Sequence, residues 1–379
     1  MSLPKPLALL FVALLAVPAL ADDLHLHDGR VIDGVVVKSE SASKVEYRRK
    51  SVTQKVDSSE VRNIVYGRTS ANFIAGMDAL ANGDSLAAAG AFIQAAENED
   101  LPDFVRATAY AECGEALLEN NNFSDALGIF DELLKSYPDS RHYARALLGK
   151  GRAQFFNRQV DDAAATFKKL QDDASARDLG ELWGLEAEFA LLWADEARGK
   201  KGVLEGYKDL RARCRDDYPA VANQCSLRMG RVYLSSDKVD EALPLFNEII
   251  DSRLTTDRSI VAGAFNGRGR CLFWEGQNEL AKSREATNKK ESERAAQYLE
   301  DALASFRAAR LDFLRVNMVY LGVAREQPES LYWGGQAFLN VASLDSAEAD
   351  AERFGKILLK RCSDRFPQSE WGSKAKDEI

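Results

Sequence analysis

His25 and His27 stand two residues apart in a run of strand-forming residues. That spacing puts both imidazoles on one face of a strand, within reach of one metal ion. At least one further ligand is needed, and no other is marked nearby. Leu24 and Leu26 alternate with the histidines, which is the pattern of a strand with one wet face. The third histidine, His142, falls among loop residues after Pro138 and has no evident partner. Gly267-Arg268-Gly269 lacks the third glycine and the preceding strand of a dinucleotide fingerprint. The chain contains no G-x-x-x-x-G-K-[ST], no H-E-x-x-H and no G-x-S-x-G. The sequence therefore predicts no enzyme, no cofactor and no metal; the competing reading is an enzyme whose site lies in the β-rich segment before residue 67 or in the long insertion near 279–300. Five cysteines cannot all pair within one chain. Cys113 and Cys271 fall near small-residue positions, where a thiol packs as a small hydrophobe. Cys214 and Cys225 flank Tyr218-Pro219 and leave a bridge open, but five free thiols is the simpler expectation.

The elements that must carry any site are written in a repeated spacing. Gly76, Ala88 and Phe92 are separated by 12 and then 4 residues. The spacing recurs as Gly114, Ala126, Phe130, as Gly151, Ala163, Phe167, and as Gly230, Ala242, Phe246. The reason is steric. Two antiparallel helices approach closely only where side chains are small, and an aromatic one turn after the alanine fills the gap. Turn residues join the helices, as in Asn120-Asn121-Asn122 and Ser235-Ser236-Asp237. The glycine position continues through a degenerate fourth copy, Leu191 with Val203 and Tyr207, to Gly230 and Gly269, in steps of 38, 37, 40, 39 and 39. In the sixth copy Ala302 and Phe306 lie far beyond Gly269, and the polar stretch near 279–300 predicts a projecting helix or helical hairpin. The seventh copy, Gly335 and Ala347, has Ala351 in place of the aromatic, as a capping repeat would.

This pattern resembles the tetratricopeptide repeat, and Tyr137-Pro138 supplies the proline that follows its second helix. The segment LLKSYPDSRHYARALLGKGRAQFFNRQVDDAAATFKKL, with SDRFPQSEWGSKA at the end, is similar to repeats of the BamD and Tol–Pal coordinator (YbgF/CpoB-like) type in bacterial envelope proteins. The resemblance implies a mostly α fold over residues 70–379: a right-handed solenoid of about seven helix pairs. Its function would be protein–protein interaction, as a non-enzymatic scaffold or adaptor. In that family, residues flanking the small position of the first helix line the concave groove. Here Arg152, Arg231 and Arg270 follow that position, and Phe156 and Trp274 lie further along the same helices. Arginine forks with aromatics suit an extended protein or peptide segment carrying acidic groups. The alternative pairs these arginines with neighbours such as Glu115 and Glu119 and places the aromatics in the core.

Residues 22–67 are of another kind. Short β-rich runs broken by Asp28-Gly29 and Asp33-Gly34 predict a small SH3- or Sm-like β-module. It would cap the open solenoid end, or else bind a ligand such as peptidoglycan. Residues 1–21 read as an export signal: Lys5, an apolar run from Leu7 to Val17, Pro18, and Ala19-Leu20-Ala21 as cleavage site. The mature chain would begin at Asp22 in the periplasm or another extracytoplasmic space, with no membrane span. Retention of the segment as an anchor is the alternative. The net charge of -9 argues against nonspecific nucleic-acid binding.

Overall fold

The protein is described by a computed structural model covering residues 21–252, 257–320, 322–348 and 350–379. The export signal expected over residues 1–21 lies outside them, apart from Ala21. Five strands come first: β1 (Asp22–Leu26), β2 (Val31–Glu40), β3 (Lys44–Arg49), β4 (Val52–Asp57) and β5 (Val61–Val65). They form one antiparallel sheet in the order β4-β3-β2-β1-β5, with a 3-10 turn at Ser58–Glu60 before the last strand. Alternation places Leu24, Leu26, Val35, Val37, Val45 and Tyr47 inside. His25 is half-buried and His27 is exposed. Asp22 closes the sheet, its carboxylate accepting from the amides of Val37 at 2.7 Å and Gly67 at 2.9 Å.

Among the described residues seven helix pairs follow. They are α1 (Ala71–Ala81) with α2 (Ser85–Ala96), α3 (Asp103–Glu119) with α4 (Phe123–Ser136), α5 (Tyr143–Phe156) with α6 (Val160–Ala176), and α7 (Glu181–Ala197) with α8 (Val203–Cys214). The remaining three are α9 (Pro219–Leu234) with α10 (Val239–Asp251), α11 (Arg258–Asn288) with α12 (Ser292–Val319), and α13 (Gln327–Leu344) with α14 (Ala351–Arg365). A short α15 (Glu370–Asp377) closes the stack, Trp371 lying 5.4 Å from the Tyr332 ring and 5.8 Å from that of Trp333. The architecture is a mostly α, tetratricopeptide-like solenoid preceded by a small β-module.

The repeated spacing has the predicted steric cause. A methyl group on Gly76 would lie 2.7 Å from the Phe92 ring, and one on Gly114 would lie 2.5 Å from that of Phe130. Gly151 with Phe167 and Gly230 with Phe246 make the same contact. Two of these rings are held from both sides. Gly149 of the next pair also meets Phe130, and Gly267 meets Phe246. The ring thus joins pair to pair as well as helix to helix. The turn before the second helix takes a left-handed residue at Gly83, Asn121, Arg158, Asp237 and Lys290, each two residues before its helix begins.

Three expectations are corrected. In the fourth pair the small residue has moved to the second helix, where Gly206 meets Leu192, and Leu191 is only partly buried. In the sixth pair Gly269 meets Phe313 and Gly276 meets Phe306, because the extra residues lengthen α11 and α12 as one hairpin. In the seventh pair Ala347 lies in the turn, and Leu359 with the Gly355 backbone fills the space beside Gly335.

The β-module is also placed differently from a simple end cap. It lies along the loop edge of the first four pairs. The Ala42 amide donates to the Asp139 carbonyl at 2.7 Å, and Ser59 packs on Gly180. Arg141 donates to Glu40 at 2.7 Å, and the Tyr66 hydroxyl donates to the same carboxylate at 2.5 Å. Tyr66 also lies 3.0 Å from the Thr108 hydroxyl, which lies 2.9 Å from His142 Nε2. His142 is therefore a buried, hydrogen-bonded residue of this seam. Burial and the charges of Arg141 and Arg145 hold its pKa well below the usual histidine value. Ile74, Met77 and Leu86 of the first pair stay exposed.

All five cysteines are buried and free. Among the described residues no helix is long and apolar enough to cross a membrane.

Candidate functional site: an arginine-lined groove crossed by its own chain

Arg152, Arg231 and Arg270 lie on the first helices of the third, fifth and sixth pairs. Each meets a carboxylate. Arg152 donates to Glu115 at 3.3 Å, and Arg270 donates to Glu329 at 3.2 Å. Arg231 donates to both oxygens of Glu326, at 2.9 and 2.7 Å. The bonds of Arg152 and Arg270 join neighbouring pairs, and only that of Arg152 uses a carboxylate the sequence suggested. Glu119, the other suggested partner, accepts from Ser85 instead, at 3.0 Å. Glu326 and Glu329 belong to the stretch from the end of α12 into α13. That stretch crosses the inside of the superhelix and brings Glu326 to Arg231, two pairs away.

The crossing segment has a second effect. It carries Arg325 to the third pair, where the guanidinium carbon lies 4.5 Å from the centre of the Phe156 ring. Phe156 belongs to an aromatic row spanning three pairs. It stacks on Phe123 at 5.1 Å and meets the Trp193 ring at 5.2 Å, while Phe155 lies 3.9 Å from Trp193. At the far end of the groove Phe273 is buried against Phe306 and Trp333. Trp274, the neighbour of Phe273, is 39% exposed. The structure thus brings Arg152 and Phe156 together on one side of the crossing segment. Arg270 stands on its other side, its guanidinium 5.6 Å from the Trp333 ring.

Two cavities flank the segment and share Arg152 and Arg325. One, of about 380 Å³, lies between α5, α7, α9 and the segment. The other, of about 610 Å³, faces the α1–α2 turn. The smaller cavity holds a concentration of arginines. Arg145 is bonded to Glu112 at 2.6 Å and Arg228 to Glu196 at 2.5 Å, besides Arg152 and Arg231 with their own carboxylates. Arg325 is different. Among the described residues it has no salt bridge or side-chain hydrogen bond, and Glu326 and Asp257 act on it only through their charge. Burial and the nearby positive charge of Arg152 push its pKa down to about 10. Glu186 also lines this cavity and has no cation bonded to it. It accepts from the Gln224 amide at 3.2 Å, and burial pushes its carboxyl up to about 7.

Arg325 was not singled out by sequence reasoning. It stands in a loop outside the repeat spacing, and no local pattern ties it to Phe156. Among the described residues no cluster of three His, Cys, Asp or Glu is arranged to hold a metal ion, His25 and His27 included.

The helix-pair repeat is also what known proteins share with part of this chain. A tetratricopeptide repeat family model matches residues 113–178. Solved structures that align with the chain include a tetratricopeptide repeat protein from Parabacteroides merdae, at 12% identity, covering 80% of this chain and 95% of that one, with a TM-score of 0.42. A second, a TPR repeats protein from Bacteroides fragilis, has 13% identity, covers 76% and 96%, and has a TM-score of 0.23. A third, NprR in complex with its cognate peptide NprX, has 13% identity, covers 80% of each chain, and has a TM-score of 0.40. No curated protein matches the chain.

Proposed function

We propose that the protein is a non-enzymatic scaffold that binds an acidic protein or peptide segment through the inner face of its solenoid. The observation that carries this reading is the crossing segment itself. Arg231 and Arg270 already hold two carboxylates of one short stretch, at 2.7 and 3.2 Å. Beside the segment Arg152, bonded to Glu115 but with its side chain 28% exposed, and the partly buried Phe156 offer the same residue types. Trp274 offers an exposed aromatic near Arg270. Aromatic and arginine side chains are the residue types that dominate binding energy at protein interfaces.

The reading extends to compartment and relatives. The signal-like sequence over residues 1–21 supports export to the bacterial envelope, with the mature chain starting at Asp22. The aromatic-Pro-x-Ser motifs at Tyr137 and Phe366 support kinship with envelope repeats of the BamD and Tol–Pal coordinator type. The strand order and the 3-10 turn before β5 support an SH3- or Sm-like β-module.

The test uses the purified chain and fluorescent peptides rich in Asp and Glu, with Lys-rich peptides as controls. Acidic peptides should bind, and binding should weaken with salt, since exposed charges are screened over about 8 Å at physiological ionic strength. Arg152→Gln with Phe156→Ala should weaken binding while the helical signal is kept. Equal binding of acidic and basic peptides would remove the groove from consideration. Mass spectrometry of the chain expressed in a bacterial host tests export, with an N-terminus other than Asp22 counting against it.

A further inference from the structure

We propose that the 380 Å³ cavity between α5, α7, α9 and the crossing segment is a binding site for a small organic anion with a flat apolar body. Arg325 takes the acid group, and Trp193 and Phe189 take the body. This inference does not rest on the scaffold reading, because a small ligand fills the cavity whether or not a protein docks on the groove.

The argument begins with what surrounds Arg325. The four other arginines of the cavity each have a carboxylate, from Glu112, Glu115, Glu196 and Glu326. The two acids nearest Arg325 in sequence or space are already engaged. Glu326 accepts from Arg231 and from Asn266, the latter at 3.0 Å. Asp257 caps α11, one oxygen accepting from the amides of Ser259 at 2.7 Å and Ile260 at 3.3 Å. What remains to Arg325 is the face of Phe156. Arg325 is only partly exposed, and a guanidinium so placed without a bonded anion is costly. A carboxylate or phosphate of a ligand supplies the missing partner in the planar, forked geometry that arginine prefers.

The walls set the rest of the ligand. Trp193 is held by the Phe155 ring at 3.9 Å, so its indole is a fixed surface in the cavity wall. Phe189 lies one turn earlier on the same helix and also faces the cavity. The cavity volume falls within the range of small-molecule sites, which are apolar with a few placed polar groups.

The test is calorimetric titration of the purified chain with 2-naphthoate, 2-naphthyl phosphate and the neutral 2-naphthamide. At least one anion should bind about tenfold or more tightly than the amide, the worth of one charged hydrogen-bonded pair. Arg325→Gln should remove that preference, with a melting temperature equal to or above that of the parent. Arg325→Lys should retain part of it. Leu311→Ala, exposed on α12 and outside the cavity, should change nothing. Which anion binds better distinguishes a carboxylate ligand from a phosphate. Equal affinity for acid and amide, no binding of any probe, or an undiminished preference in Arg325→Gln would each overturn the proposal.

Discussion

Arg231 and Glu326 are joined by two hydrogen bonds across the inside of the solenoid, although one lies on α9 and the other at the start of α13. The pair fastens the crossing segment to the fifth helix pair. Glu326→Ala would leave Arg231 near Arg325 with one carboxylate fewer. Breaking a buried pair costs about 3–5 kcal/mol. Arg231 keeps part of its surface in water, so about 3 kcal/mol is expected, read from urea unfolding. Replacing both partners by methionine should recover much of the loss. A double variant as unstable as the single one would show that the segment is held by something else.

The glycines facing rings give a prediction with an internal control. A methyl group on Gly114 would meet Phe130 at 2.5 Å, and Phe130 cannot retreat because Gly149 holds its other side. Gly114→Ala should therefore cost about 1–3 kcal/mol through overpacking. Gly128 also lies within a helix, but nothing stands within 4 Å of its added methyl group. Gly128→Ala should stabilise by about 0.5–1 kcal/mol through helix propensity. Thermal melts that move both variants in the same direction would contradict the assigned contacts.

These contacts also explain what could be read from the sequence. One steric event, a phenyl ring against a bare Cα, recurs in four pairs and leaves a fixed spacing of glycine, alanine and phenylalanine. Where the same space is filled differently, the spacing fails. Gly206 against Leu192 reverses the roles of the two helices, and Leu359 replaces an aromatic beside Gly335. The turns at Arg158 and Lys290 have φ of 64° and 62° without a glycine or asparagine, so composition gives no sign of them. The arginines after the glycines were visible as residues, but their partners Glu326 and Glu329 were not. The Arg231–Glu326 pair depends on a late loop folding back on the fifth helix pair, and Arg270–Glu329 on the stacking of the seventh pair on the sixth, and neither leaves a local pattern. The β-module was legible from its alternating apolar residues. Its position was not, because Glu40, Tyr66, Thr108 and Arg141 meet only after folding.

Glu186 predicts a pH dependence. Its carboxyl has an ordinary value of 4.5 when unfolded and is raised to about 7 in the folded chain. Between these values the folded chain holds a proton that the unfolded chain has lost. Stability from this site therefore falls as pH rises from about 4.5 to 7. The full shift corresponds to about 3 kcal/mol, and contact with cavity water reduces the expected effect to about 1–2 kcal/mol. Glu186→Gln should match the parent near pH 5 and exceed it by that amount near pH 8, in paired denaturant titrations. A difference that does not change with pH would mean the carboxyl titrates normally.

The last prediction concerns the seam between the β-module and the solenoid. Glu40 is almost completely buried, its side chain 1% exposed, and it binds both Arg141 and Tyr66. Arg141 is itself buried, and Glu40 raises its pKa against the opposing effect of burial. Removing the carboxylate by Glu40→Ala leaves a buried guanidinium with no anion, a loss of about 3–5 kcal/mol. Tyr66→Phe removes only a hydroxyl and its hydrogen bonds, for about 1 kcal/mol. Glu40 belongs to β2, and Arg141 lies just before α5, so the damage should be local to the seam. Hydrogen exchange of the Glu40→Ala variant should show lost protection in β2, β3 and the first turns of α3 and α5. Amides of α9 to α14 should keep theirs, since repeats far from the break rest on their own neighbours. Uniform loss along the chain would mean that module and solenoid unfold as one unit. Unchanged protection in β2 and β3 would mean that the Glu40 pair does not hold the module in place.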